Sequence, residues 1–178
     1  ATIVFDNYLL RAGPGRIFDR WGIYEEGDTV LVTARALGQD WVYVQASDAY
    51  SGWMNTVGLS SASGFDGLPL MNVPDAILIR GHVWNVDKSP APYIGVSFQP
   101  LNNTNPDLMD NVNTSADGAW YAYLPVDMRG EWVIGPNAYG CPPDVPTGEC
   151  SLAGTFPPAQ TITLPDAQDV SIEFNIEP

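Results

Sequence analysis

Apolar and polar residues alternate with a period of two along most of this chain of 178 residues, the spacing of half-buried strands. Thr2-Ile3-Val4-Phe5 is a short β-prone run, broken by Asp6-Asn7 and resumed from Tyr8 to Arg11. Gly13-Pro14-Gly15 then turns the chain: Pro14 fixes its own φ, and the flanking glycines can take positive φ, which predicts a tight bend. Residues 18–24 read as extended, Glu26-Gly27-Asp28 as a turn, and residues 29–35 as a strand rich in β-branched side chains. In Trp41-Val42-Tyr43-Val44-Gln45 the alternation sets Val42 and Val44 on one face, Trp41 and Tyr43 on the other. Gly52-Trp53-Met54 opens a last strand. Five or six short strands within residues 1–65 predict a small, partly open barrel.

The alternation is cleaner beyond residue 75. Ile77, Ile79 and Val83 share a face, with Gly81 between them. Ile94, Val96 and Phe98 alternate with Gly95, Ser97 and Gln99, and Trp120, Ala122 and Leu124 with Tyr121 and Tyr123. Trp132 and Ile134 share a side, and Val170, Ile172, Phe174 and Ile176 alternate with Ser171, Glu173 and Asn175. Such strands predict an antiparallel two-sheet sandwich over residues 76–178. No window carries a 3.6-residue stripe, so no long helix is expected. Residues 61–74 shift to Ser, Gly and Pro, and residues 66–75 read as the linker, stiffened by Pro69 and Pro74. Phe65, Leu68, Leu70 and Met71 are too apolar for a free tether and are expected to pack on one of the two domains. Residues 101–113, rich in Asn and Asp, and residues 137–158, rich in Pro, read as long loops.

Composition narrows the class. The chain is 45% hydrophobic and 16% charged, with 17 glycines and 16 prolines and no collagen-like period, which suits many short strands in an all-β fold. Its net charge is −14, with one lysine, Lys88, and six arginines in no visible patch. Nucleic acid and anionic membranes are therefore poor candidates as partners, since both are bound through clustered Lys and Arg. No apolar run reaches the ~20 residues of a transmembrane helix. The chain opens at Ala1 with no leader pattern, as expected of a processed product or a piece of a longer protein. Cys141 and Cys150 are the two cysteines. In so lysine-poor a β protein they read as a disulfide formed in an oxidising compartment, worth about 2–3 kcal/mol in so short a loop, the other reading being two unpaired thiols.

The residues also carry two resemblances. Leu10-Arg11-Ala12-Gly13-Pro14-Gly15, Gly22, Glu26-Gly27-Asp28-Thr29-Val30, Trp41-Val42-Tyr43-Val44, Gly52-Trp53-Met54 and Leu59-Ser60 resemble, in order and spacing, the bacterial SH3 (SH3b) domain. Leu9 stands where that family often has Asn. The resemblance implies a non-catalytic module of exported proteins, often in contact with peptidoglycan or its peptides. Farther on, Ile79-Arg80-Gly81-His82-Val83, Pro92, Ile94-Gly95-Val96-Ser97-Phe98, Thr114-Ser115-Ala116-Asp117-Gly118-Ala119-Trp120, Leu124-Pro125 and Gly130-Glu131-Trp132-Val133-Ile134 resemble the carboxypeptidase-regulatory-like, or prealbumin-like, sandwich. That resemblance implies a rigid extracellular spacer or adhesive module.

Candidate chemistry points the same way. Trp21, Tyr24, Trp41, Tyr43 and Trp53 offer flat, apolar faces of low rotamer entropy for sugar rings or peptide planes, although a barrel this small also needs such residues for its core. Arg11 could fork onto a ligand carboxylate or pair with Asp28 or Asp40. His82 is the sole histidine and is expected on an outward strand face with no nucleophile beside it, so no hydrolytic triad is marked. Asp107, Asp110 and Asp117, with Asn105 and Asn111, offer oxygens to Ca²⁺ but not at EF-hand spacing, and no zinc-ligand spacing is present. The sequence therefore reads as an exported or cell-surface binding or targeting module, not an enzyme, without cofactor or metal. Its partner would be a cell-wall polymer or peptide. The alternative is a structural spacer in contact with other domains of a larger surface protein.

Overall fold

The computed structural model describes residues 1–38, 40–46, 50–140, 154–164 and 170–178. It is all-β, with helical structure limited to two single 3-10 turns among those residues. Two compact units are present, one of Ala1–Ala76 with Tyr123–Pro125 and one of Ile77–Ala122 and Val126–Pro178. Cys141 and Cys150 lie outside the described residues, as does any bridge between them.

In the first unit, β1 (Thr2–Ile3), β2 (Tyr8–Arg11), β3 (Arg20–Tyr24), β4 (Val30–Arg35), β5 (Trp41–Ala46), β6 (Ser51–Asn55) and β7 (Leu59–Ser60) follow in sequence. A five-stranded sheet has the order β3-β2-β6-β5-β4, and β1 pairs with β7. Every pair is antiparallel. Val42 and Val44 enter the core with Ile3, Leu10, Tyr24 and Met54, as the alternation on β5 requires. The opposite face of the same strands carries Tyr43 across from Trp53, their rings edge-to-face at 5.4 Å. Phe65 and Leu68 pack against this core. Arg35 N donates to Pro69 O (3.0 Å), and Met71 N donates to Arg35 O (2.9 Å). Residues 65–71 thus continue the first unit along the end of β4.

Gly13-Pro14-Gly15 forms the tight turn without using the positive φ open to its glycines. Gly13 is needed for close approach instead: a Cβ there would lie 2.2 Å from the Phe18 ring, so the turn folds tightly over that side chain.

The second unit holds β8 (Ala76–Trp84), β9 (Ile94–Pro100), β10 (Asp110–Asn113), β11 (Ala119–Pro125), β12 (Gly130–Tyr139), β13 (Gln160–Leu164) and β14 (Val170–Asn175). The sheets β10-β9-β12-β13 and β11-β8-β14 form a sandwich. Ile79, Val83, Val96, Phe98, Trp120, Trp132, Ile134, Ile172 and Phe174 are all buried, so the period-two reading found the core-facing positions. Three features went beyond it. β10 lies within the Asn- and Asp-rich stretch read as loop, because pairing with β9 satisfies its backbone and lets Val112 bury. β12 extends to Tyr139 across a bulge between Pro136 and Ala138. Finally, β14 pairs with β8 in parallel, whereas the other sheet pairs β9 with β10 and β12, and β12 with β13, antiparallel.

The Thr114-to-Gly118 stretch forms the expected turn before β11. Asp117 Oδ1 accepts from Ser115 Oγ (2.6 Å) and from Ala119 N (3.3 Å), and these bonds hold its carboxyl below the usual carboxylate range. Asp110 is buried, with Oδ1 accepting from Asn111 N (2.8 Å). Among the described residues no three His, Cys, Asp or Glu side chains converge on a metal-sized site.

Gly81 has no room for a side chain, since a Cβ would lie 1.7 Å from Ile172 O on the parallel neighbour. We expect Gly81→Ala to destabilise the protein by about 3 kcal/mol or more, by forcing β8 from β14. Gly67→Ala, where a Cβ meets nothing within 4 Å, should stay within about 0.5 kcal/mol of the parent. Urea unfolding followed by tryptophan fluorescence checks both.

Candidate functional site

The first unit carries a groove of about 320 Å³, walled by Tyr8, Arg11, Arg16, Trp41, Asn55 and Val57. Its floor is set by Arg11 on β2. The residue is only 7% exposed, and its Nη1 donates to Arg16 O (2.6 Å) and to Phe18 O (2.9 Å). Ala12 N closes the same loop by donating to Asp19 O (3.0 Å). One guanidinium nitrogen thus holds two carbonyls of one loop. The side chain read from sequence as a ligand fork or a partner of Asp28 or Asp40 clasps this loop, which brings the exposed Arg16 to the groove.

Tyr8 forms a second wall. Its hydroxyl donates to Asn55 O (2.6 Å) and accepts from Gly58 N (3.0 Å). Asn55 caps the 3-10 turn Thr56–Gly58, with Oδ1 accepting from Val57 N (3.0 Å). The turn lifts Val57 to the rim, where it is 71% exposed. Burial raises the Tyr8 phenol above its ordinary value, more than the Gly58 N–H and the nearby Arg11 charge lower it.

Of the aromatic residues singled out from sequence, Trp41 is the one in the groove wall. Tyr24 belongs to the core cluster, and Trp53 is 3% exposed beneath Tyr43. Both are packing residues, since a unit this small spends its large rings on its own interior. Tyr43 is half-buried against Trp53. Trp21 is 55% exposed on the edge strand β3, as the extra residue where the register shifts between the Leu10–Gly22 and Arg11–Arg20 pairs. Neither lines the groove. Tyr8, Arg16, Asn55 and Val57 escaped the sequence reading. The pairing of β2 with β6 brings residues 8 and 55 together, and only a tyrosine resuming a strand just after Asp6-Asn7 hinted at the first of them.

A second cluster lies on the outer face of the sandwich sheet β11-β8-β14. His82 Nδ1 is 3.4 Å from Glu173 Oε1, Trp84 Nε1 donates to Glu173 Oε2 (2.6 Å), and the His82 and Trp84 rings stack at 5.3 Å. His82 faces outward, as the alternation required, while its carboxylate neighbour comes from a strand 91 residues away.

No protein-family model and no curated protein matches the chain. Among solved structures, it is similar to the dioxygenase domain of a dioxygenase–carbohydrate-binding fusion from Streptomyces sp. SirexAA-E. That likeness has 12% identity and a TM-score of 0.36, over 60% of this chain and 84% of that one. It is also similar to a streptococcal ancillary pilin, at 12% identity and a TM-score of 0.39, over 77% of this chain and 44% of that one.

Tyr8 gives the groove a pH signature. A phenol whose pKa is higher folded than unfolded stabilises the fold fully below the unfolded value, and that contribution is lost as pH rises through the folded value. Stability should therefore fall as pH climbs above about 10. Tyr8→Phe should remove that part of the fall and cost about 1–2 kcal/mol at neutral pH, by orphaning Asn55 O and Gly58 N. Urea midpoints at pH 7 to 11 for parent and variant check both.

Proposed function

We propose that this chain is a non-catalytic binding or targeting module of an exported or cell-surface protein. On this reading its first unit is an SH3b-like barrel and its second a prealbumin-like sandwich. The groove of the first unit takes a short extended segment of cell-envelope polymer, peptidoglycan or its peptides.

One observation carries the reading. In a protein of net charge −14, the groove sets two arginines, Arg11 and Arg16, beside the rings of Tyr8 and Trp41. An apolar trough with a local positive charge complements an extended peptide bearing carboxylates, and rigid rings cost little entropy when they are covered. Hydroxyl-to-backbone anchoring of Tyr8 supports preorganisation of the wall. The non-catalytic part of the proposal rests on His82, the sole histidine. Its recorded polar contact is with Glu173, an arrangement that supplies no nucleophile for it to activate.

A second reading, a structural spacer, draws on residues 65–71. Phe65 and Leu68 are packed down while Leu70 and Met71 remain exposed, an apolar strip suited to a neighbouring domain of a larger protein.

Co-sedimentation with insoluble peptidoglycan at low and moderate salt separates the two. The intact chain should sediment, and binding should weaken at least tenfold in Val57→Asp and in Arg16→Glu. Both side chains are exposed, so these variants should keep the fold. An intact chain that stays in the supernatant would sink the envelope-binding reading in favour of the spacer.

A further inference from the structure

The outer-face cluster of the second unit is a built arrangement on two paired strands. Ile79, Gly81 and Val83 turn inward on β8, leaving Arg80, His82 and Trp84 on the outer face. The parallel register sets Ser171 beside Arg80, Glu173 beside His82 and Asn175 beside Trp84. The Glu173 carboxylate meets the Trp84 indole N–H at 2.6 Å and the His82 ring at 3.4 Å. The two rings lie 17° from parallel, and Lys88 Nζ donates to Asn175 Oδ1 (2.8 Å) at the end of the row. His82 and Glu173 keep 39% and 47% of their side-chain surface in solvent. Trp84 is held by both neighbours, so a partner meeting it pays little further rotamer entropy.

The charges select the partner. Arg80 and Lys88 stand along the row on either side of Glu173, Asp87 adjoins Lys88, and the turn before β11 brings Asp117 beside β8, where Gly118 O accepts from Val83 N (2.9 Å). Charges of both signs are interspersed over the patch, so no cluster of one sign gathers an anion or a cation. What remains is ring surface beside a dense mix of donors and acceptors: guanidinium, ammonium, amide and carboxylate. That combination suits a molecule with apolar C–H faces rimmed by uncharged hydroxyl or amide groups. From Arg80 to Trp84 the row spans about 13 Å of parallel strand, room for more than one ring.

We propose that this face of β8 and β14 is a binding site for a neutral oligosaccharide, with Trp84 as the ring contact, held in place by Glu173. The site is separate from the groove of the first unit and does not rest on the reading given to that groove.

The test titrates the intact chain with the N-acetylglucosamine tetramer and, separately, with cellotetraose, following the indole N–H resonances by NMR. With at least one sugar the Trp84 N–H should shift saturably. Trp84→Ala and Glu173→Ala should each weaken binding at least tenfold, read by calorimetry, while Gly67→Ala leaves it unchanged. Glu173 keeps 47% of its side-chain surface in solvent, so its truncation guards against loss of fold in the larger substitution. No shift at Trp84 with either sugar up to about 10 mM, or equal affinity in both variants and the parent, would overturn the proposal. So would shifts confined to the first unit.

Discussion

A buried guanidinium organises the first unit. Arg11 sits on β2 with Arg20 of β3 as its partner on one side and Trp53 of β6 on the other, and its side chain holds the carbonyls of Arg16 and Phe18. Burying a charge is costly unless its hydrogen-bond demand is met, and residues 12–19 contribute two of its bonds by folding back over the strand. That fold-back presses Phe18 onto Gly13 and leaves Arg16 at the groove. Gly52 completes the arrangement, since a Cβ there would lie 2.6 Å from Arg11 O.

The second unit depends on a steric condition. β8 and β14 come close enough to pair in parallel because Gly81 presents no side chain to Ile172 O. The inner face of that pair contributes Ile79, Val83, Ile172 and Phe174 to the core. The outer face contributes His82, Trp84 and Glu173, side chains whose mutual contacts exist only in this register. A slip of one residue would turn Phe174 outward and Glu173 into the core, so packing on one side fixes the polar arrangement on the other.

Charge has a different meaning at the scale of the chain and at the scale of a site. A net −14 disfavours polyanionic partners as a whole. Locally, the groove gathers two of the seven basic residues, and the outer face of β8 and β14 intersperses both signs. The two ligand classes proposed above, an extended segment carrying carboxylates and an uncharged hydroxylated ring, follow from that difference.

The sequence by itself determined the all-β class and most core-facing positions. Residues such as Val42, Val44, Ile79, Val96, Phe98, Trp120 and Phe174 declare their burial through a period of two, a local property that pleated backbone converts directly into sidedness. It also marked Trp41 and the outward His82. What tertiary structure decided was every relation between distant residues: Tyr8 with Asn55, Arg11 with Phe18 over a folded loop, and Glu173 with His82 and Trp84. It also made a strand of Asp110–Asn113, whose polar composition argues for a loop until β9 supplies its hydrogen bonds. Alternation tells which way a side chain points. It carries no information on which strand lies alongside, because that choice is made by packing and register across the whole sheet.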